Sequence, residues 1–238
     1  MPEKLGRDLD PAAVRAWCAL ALDALGRERE EIDAINVYPV ADGDTGTNLY
    51  LTVEAARQAV EALFAAGGHG GGGADDGRGG AAPAPADTVR ALAHGALVGA
   101  RGNSGTILAQ LLRGMADVLA HGCDGAHLAR ALSTASAAAR QAVAHPVEGT
   151  ILSVAEAAAR AAGEAGRDLR DVARAAYDGA RAALDATPGQ LDVLARAGVV
   201  DAGGGGGGCG GGAGGVRRWG GGPAPGAGAA RGAARPPA

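Results

Sequence analysis

Residues 36–48 read Asn-Val-Tyr-Pro-Val-Ala-Asp-Gly-Asp-Thr-Gly-Thr-Asn, and the interpretation of the chain starts from this stretch. Its two carboxylates, Asp42 and Asp44, flank a single glycine. Carboxylate oxygens at short spacing suit Mg2+, which keeps several waters and binds one or two carboxylates together with substrate phosphates. The next residues are predicted to open a helix whose free N–H groups favour a phosphate, namely Thr45, Gly46, Thr47 and Asn48. The stretch therefore predicts a magnesium and nucleotide-phosphate site.

Three other interpretations of the stretch were compared with this one. Asp-Gly-Asp is also an ordinary polar turn, and Thr or Asn before an apolar run is an ordinary helix cap. An EF-hand loop starting at Asp42 needs glycine and glutamate where the chain has Thr47 and Val53, so it is excluded. A phosphatase of the haloacid-dehalogenase kind needs Asp-x-Asp-x-Thr after a buried strand. Gly46 takes the threonine position and Pro39 interrupts the strand, which leaves the phosphatase as a weaker alternative.

Composition narrows the class of protein. Hydrophobic residues make up 47% of the 238 residues but aromatic residues only 3%, and alanine-rich segments favour closely packed helices. The net charge of −4 gives no basic field for nucleic acid. The three cysteines lack Cys-x-x-Cys spacing, and no apolar run is long enough to span a bilayer. We therefore expect a cytoplasmic protein without a signal peptide, a membrane span or a disulfide framework.

Helical periodicity alternates with glycine-containing loops along the chain. Asp10 and Pro11 predict a helix start, and Gly26 is the predicted end of that first helix. Six more amphipathic segments follow, and a Thr-Pro-Gly stop at 187–189 is predicted to end the last of them before a short segment at 191–197. No segment alternates as a strand does. The predicted fold class is all-α.

Two segments of low complexity set the predicted domain limits. Residues 67–86 contain almost only Gly, Ala, Pro and Asp, which predicts a flexible surface loop. Residues 205–238 contain almost only Gly, Ala, Pro and Arg, which predicts a disordered tail. A single domain is therefore predicted over residues 8–204.

A second glycine-rich loop at 99–105, Gly-Ala-Arg-Gly-Asn-Ser-Gly, precedes a strongly amphipathic segment. Its glycines allow backbone N–H groups to approach an oxyanion, and Asn103 and Ser104 add side-chain donors. The Gly-Lys-[Ser/Thr] ending of a P-loop is missing, and no strand precedes the loop as in a dinucleotide fingerprint. The loop is either a second phosphate contact or a tight turn between helices.

Four loops together resemble the nucleotide-binding domain of the DAK2/DhaL superfamily. They are residues 36–48, 99–105, His-Pro-Val-Glu-Gly-Thr at 145–150 and Gly-Val-Val-Asp-Ala-Gly-Gly at 198–204, hereafter the first to fourth loops. Of two members of this group, the N-terminal domain of bacterial fatty acid kinase is the one that the loops resemble more closely, and the L subunit of dihydroxyacetone kinase the one that they resemble more distantly. The resemblance implies an up-and-down antiparallel helical barrel with the nucleotide held by loops at one end. That barrel is predicted to lack its last helix, because the tail replaces it.

The resemblance also implies roles for individual residues. Asp42 and Asp44 are expected to hold Mg2+. Dihydroxyacetone kinases have a third aspartate shortly before the pair, and its nearest counterpart here is Asn36, which lies one residue further out. The phosphates of ATP or ADP are expected to contact the first two loops at Thr45, Gly46, Thr47, Asn48, Asn103, Ser104 and Gly105. The adenine or ribose is expected to lie near the last two loops at Gly149, Thr150, Asp201, Ala202 and Gly203.

The implied activity is phosphoryl transfer from ATP to a substrate presented by a partner protein. That substrate is a fatty acid by the nearer resemblance, which gives an acyl phosphate, and dihydroxyacetone by the more distant one. The sequence offers no general base or nucleophile of its own, in keeping with a partner that carries the acceptor. A non-catalytic nucleotide-binding fragment and a metal-dependent phosphatase remain the alternatives.

Overall fold

The computed structural model describes residues 8–67 and 82–208. These residues form α-helices and no β-strand. The predicted all-α class is therefore confirmed. The helices are α1 (Pro11–Ala34), α2 (Thr45–Gly67), α3 (Pro85–Val98), α4 (Gly102–Leu119), α5 (Gly125–Gln141), α6 (Ile151–Glu164), α7 (Leu169–Gln190), α8 (Asp192–Ala197) and α9 (Ala202–Gly208).

Local sequence signals fix several helix starts. Asp10 caps α1 by accepting a hydrogen bond from the Ala13 N–H at 2.7 Å, and Pro11 takes the first helical position. Asp124 and Asp168 cap α5 and α7 in the same way. A capping side chain satisfies an N–H group that has no partner inside the helix, so these starts follow from short-range chemistry.

Consecutive helices from α1 to α7 pack against one another, which gives the predicted up-and-down order. Small residues let their backbones come close: a Cβ atom added to Gly95 on α3 would lie 2.6 Å from the Ala59 Cβ on α2. The short α9 contacts α1, α2, α6 and α7, and so bridges the first and last long helices. After Asp201, the described chain supplies only this short helix where the sequence analysis predicted a missing last helix.

The predicted end of the first helix at Gly26 is wrong. α1 continues through the charged segment to Ala34, and Ile32 within that segment is fully buried. Gly26 lies inside this helix and faces the Tyr50 ring on α2, where an added Cβ atom would make an ordinary contact of 3.4 Å. The helix continues past it because Ile32 packs into a core cluster with Leu49 and Leu194. That contact crosses between helices and leaves no local sign in the sequence.

The predicted helix stop at 187–189 is also wrong, because α7 runs through Pro188 to Gln190. Proline lacks the N–H group that would bond the carbonyl four residues earlier. The Thr187 hydroxyl donates to that carbonyl, Leu184 O, at 2.7 Å. The threonine thus replaces the hydrogen bond that the proline removes.

The predicted limits of the two low-complexity segments shift. α2 includes Gly67 and α3 begins at Pro85, so the described helices occupy both edges of the predicted flexible loop. α9 extends to Gly208 and takes the first four residues of the predicted tail. The remaining parts of both segments, 68–81 and 209–238, lie outside the described residues. None of the described helices is long and apolar enough to cross a membrane.

Thr187→Val is expected to lower the free energy of unfolding by about 1–3 kcal/mol, the usual cost of leaving a buried polar group without its partner. The fully buried Thr187 hydroxyl oxygen also accepts from the Asp201 N–H at 3.1 Å, so valine would leave that N–H and the Leu184 carbonyl unpaired. Urea denaturation should show a lower midpoint at unchanged slope. Thr134→Val, on the exposed face of α5, is the matched control, and an equal midpoint shift in the two variants would contradict the prediction.

Candidate functional site

The first loop joins α1 to α2 and carries the predicted metal ligands. Asn36 is 6% exposed, and its Nδ2 donates to Asp42 Oδ1 at 2.7 Å. Its Oδ1 is buried and accepts no hydrogen bond. Asp42 is exposed and Asp44 is partly exposed. The loop therefore presents one orphaned buried oxygen beside a carboxylate that faces solvent.

The start of α2 is held by a residue that the sequence analysis missed. Asp33, near the end of α1, accepts from the Thr47 N–H at 3.1 Å and from the Thr47 hydroxyl at 2.7 Å. A carboxylate at this position suits the positive end of the α2 dipole. Asp33 thereby links the end of α1 to the start of α2, the two ends of the first loop. The two residues are 14 positions apart, which is beyond any capping motif.

The second loop is pressed against the first turns of α2. Gly102 has a φ of +56°, and a Cβ atom there would lie 2.3 Å from Asn48 Nδ2. The Arg101 N–H donates to the buried Thr52 hydroxyl oxygen at 3.2 Å. Thr45 Oγ1 and Ser104 Oγ lie 3.3 Å apart. These contacts bring the starts of α2 and α4 together.

α4 begins without a side-chain cap. The first N–H groups of a helix have no partner within it, and they carry the positive end of the helix dipole. Asn103 and Ser104 add side-chain hydrogen-bonding groups in this same turn. The start of α4 can therefore hold an anion such as a phosphate.

The third and fourth loops meet around a buried carboxylate. Asp201 is 4% exposed, and its Oδ2 accepts from the Gly204 N–H at 2.7 Å. Burial raises the pKa of Asp201 to about 6, and hydrogen bonds from the backbone N–H groups of Gly204 and Ile151 oppose that rise. Asp201 thus joins the starts of α6 and α9. Thr150 caps α6 through a hydrogen bond that its hydroxyl oxygen accepts from the Leu152 N–H.

The four loops surround one cavity of about 450 Å³. Six residues predicted from the sequence line it: Thr45, Asn103, Ser104, Thr150, Asp201 and Gly203. Apolar side chains line the rest, including Ile107, Val143, Val147, Ile151 and Leu152. The cavity therefore combines a hydroxyl- and amide-bearing side with an apolar side.

The other predicted residues do not line the cavity. These are Asn36, Asp42, Asp44, Gly46, Thr47, Asn48, Gly105, Gly149 and Ala202. Tyr38, Pro39 and His145 do line it, and the sequence analysis did not assign them a role. Tyr38 and Pro39 belong to the first loop, and His145 begins the third loop. Their position in these loops is the sequence feature from which a contact with the cavity could have been predicted.

Within residues 8–67 and 82–208, no three His, Cys, Asp or Glu side chains gather as a metal-binding group. A site built like a structural zinc centre is therefore absent from the described part of the chain. Mg2+ differs, since it retains waters and binds through one or two carboxylates plus substrate phosphates. The first loop carries two carboxylates, Asp42 and Asp44, that are at least partly exposed.

The four loops lie almost wholly within a stretch of sequence that matches a known family. The family model described as the DAK2 domain matches residues 39–208, which contain most of the first loop and all of the other three. The chain belongs to the DAK2 domain family. This family is associated with kinase function and is generally nucleotide-binding.

Several curated proteins are similar to this chain in sequence. Protein YloV of Bacillus subtilis (strain 168) is 37% identical over 202 residues, which cover 83% of this chain and 34% of YloV. Uncharacterized proteins of Staphylococcus haemolyticus and Staphylococcus aureus (strain USA300) are 37% and 36% identical over 184 residues. Each alignment covers 75% of this chain and 30% of the relative. The chain spans about one third of the length of the curated relatives it matches.

Proposed function

We propose that this DAK2 domain binds Mg-ATP and transfers the γ-phosphate to a substrate held by a partner protein. A fatty acid, which would give an acyl phosphate, is the first candidate for that substrate, and dihydroxyacetone is the second. One observation carries the proposal: four loops far apart in the chain surround a single cavity.

The two sides of the cavity match the two ends of a nucleotide. Thr45, Asn103 and Ser104 lie at the starts of α2 and α4, where N–H groups and helix dipoles favour phosphate oxygens. The apolar side, with Val143 and Ile151 among its residues, offers a surface for the adenine ring. Thr150 and Asp201 also line the cavity, and the ribose is proposed to lie near them.

The first loop fits a magnesium ion. Asn36 Oδ1 is a buried oxygen without a hydrogen-bond partner, and a buried polar atom in that state costs free energy unless a ligand satisfies it. Asp42 supplies an adjacent carboxylate and Asp44 a second one in the same loop. When bound, the ion would neutralise charge on the phosphates. Asn36, Asp42 and Asp44 are the residues that would hold it.

The chain's own contribution to the reaction is then binding, orientation and electrostatic stabilisation. The starts of α2 and α4 would hold the phosphates in place, and the apolar side would exclude water from the adenine ring. Asp201 accepts hydrogen bonds from backbone N–H groups at the starts of α6 and α9, so its proposed role is to hold these two helix starts together at the cavity. The acceptor group is proposed to come with the partner protein.

Calorimetric titration with ATP, in the presence and absence of Mg2+, tests the proposal. Saturable binding that requires Mg2+ is the expected result. A chain that unfolds cooperatively on heating but binds no ATP would contradict it.

A second candidate is a nucleotide-binding fragment without catalytic activity. The observation that favours it is α9, which consists of one alanine followed by six glycines and presents almost no side chains to its neighbours. ATP binding without turnover, measured with an acyl-binding or dihydroxyacetone-binding partner, would support the fragment. Asp42 lies on a loop between two helices rather than at the end of a strand, so the structure does not favour the phosphatase alternative.

A further inference from the structure

We infer that Arg140, Glu148 and Ser153 form a relay that positions the third loop for nucleotide binding. The inference rests on the proposed function, because it assigns positioning residues to the same cavity. None of the three side chains is among the residues predicted from the sequence, and none lines the cavity. They act on it through Gly149 and Thr150.

The relay is continuous from α5 to the backbone of the loop. Arg140 on α5 donates to Glu148 Oε1 at 2.7 Å. The Ser153 hydroxyl on α6 donates to Glu148 Oε2 at 2.6 Å, and its oxygen accepts from the Gly149 N–H at 3.0 Å. Hydrogen bonds from Ser153 and then Arg140 hold the pKa of Glu148 below its usual range, so the carboxylate is ionised at neutral pH.

The buried backbone of Gly149 explains why the third loop needs this relay. Gly149 has a φ of +78°, a conformation that only glycine adopts readily. Its backbone is buried against α7, since a Cβ atom there would lie 3.1 Å from the Thr187 carbonyl oxygen. The Gly149 N–H therefore needs a partner inside the protein, and Ser153 provides it. This fixes the peptide that leads into Thr150, which lines the cavity.

The three residues of the relay are expected to contribute unequally to nucleotide binding. The Arg140 and Glu148 side chains are 43% and 56% exposed, and an exposed ion pair contributes little by itself. Arg140 also lies 3.5 Å from Glu156, so its charge is shared. The two hydrogen bonds of Ser153 reach the backbone of the loop directly. Loss of Ser153 should therefore weaken nucleotide binding more than loss of Arg140.

Ser153→Ala tests the relay in the full chain. We expect the affinity for Mg-ATP to fall by about 3- to 10-fold, the effect of one or two hydrogen bonds, when it is measured well below the melting temperature. The melting temperature should also fall, because the buried Gly149 N–H loses its partner. Arg140→Gln should lower the affinity for Mg-ATP less than Ser153→Ala does. The double variant with Arg140→Gln and Glu148→Gln should lose less binding free energy for Mg-ATP than the two single variants lose together, because both residues belong to one chain of contacts. Ser133→Ala, exposed on α5, is the matched control and should bind as the unchanged protein does.

A second readout separates failure of the relay from failure of the proposed function. Hydrogen exchange at the Gly149 amide, measured without nucleotide, should become faster in Ser153→Ala and stay unchanged in Ser133→Ala. If the unchanged protein binds no ATP, the proposed function fails while this measurement still decides on the relay. Equal ATP affinity and equal Gly149 exchange in Ser153→Ala and the unchanged protein would overturn the inference.

Discussion

Asp42→Asn is expected to abolish Mg2+-dependent ATP binding while the protein remains folded. Asp42 carries a carboxylate that faces solvent and lies next to the buried, unpaired Asn36 Oδ1. Asparagine keeps the size of the side chain but removes the charge that a hard divalent cation requires. Residues that merely support a metal ligand cost about 10–100-fold in metal affinity when changed, so a direct ligand should cost at least about 100-fold.

Calorimetric titration with Mg-ATP measures this effect, and circular dichroism during heating verifies that the variant folds. Asp44→Asn should behave in the same way. Asp117→Asn, an exposed carboxylate on α4, is the control for the general loss of one negative charge. Unchanged Mg-ATP affinity in both first-loop variants would remove the magnesium site from this loop.

Asp201 is expected to make the protein less stable as the pH rises from about 4 to about 6. Burial raises its pKa from 3.8 to about 6 in the folded protein. Between these two values the folded state binds more protons than the unfolded state, and the free energy of unfolding therefore falls as the pH increases. The contribution is fully present below the unfolded-state pKa and is lost as the pH rises through the folded-state pKa. A shift of roughly two pKa units corresponds to about 3 kcal/mol.

The measurement compares the unchanged protein with Asp201→Asn by urea denaturation across this pH range. Asparagine does not titrate, so the difference in free energy of unfolding between the two proteins should change by about 3 kcal/mol, with the unchanged protein losing stability towards neutral pH. Other carboxylates affect both proteins equally and cancel in the difference. A difference that stays constant with pH would show that Asp201 titrates at its ordinary pKa.

Local chemistry made much of the fold predictable. Asp10 and Pro11 mark a helix start because capping uses only neighbouring residues. The errors arose where a distant residue changes the outcome. α1 continues past Gly26 because Ile32 packs against distant buried residues, and α7 continues through Pro188 because Thr187 replaces the missing hydrogen bond. Neither of these long-range or backbone contacts can be inferred from the hydrophobic periodicity or from the positions of glycine and proline in the sequence.

The candidate site shows the same division. The sequence placed Thr45, Asn103, Ser104, Thr150 and Asp201 in loops of related chemistry, and the structure brings them to one cavity. It did not identify Asp33, whose contacts with Thr47 depend on how α1 ends. Nor did it find His145 as a lining residue, because an exposed histidine before a proline is unremarkable without the surrounding helices. Whether the lining residues bind a nucleotide stays a prediction.

The glycine content of α9 has a consequence for motion. Each glycine in a helix interior costs about 1 kcal/mol relative to alanine, because an unfolded glycine has more conformations to lose. A helix with six of them should open locally more readily than the long helices around it. Opening would release the Gly204 N–H from Asp201 and hydrate the carboxylate, which favours its ionised form. Local unfolding of this segment and proton release by Asp201 are therefore thermodynamically linked, and neutral pH shifts both in the same direction.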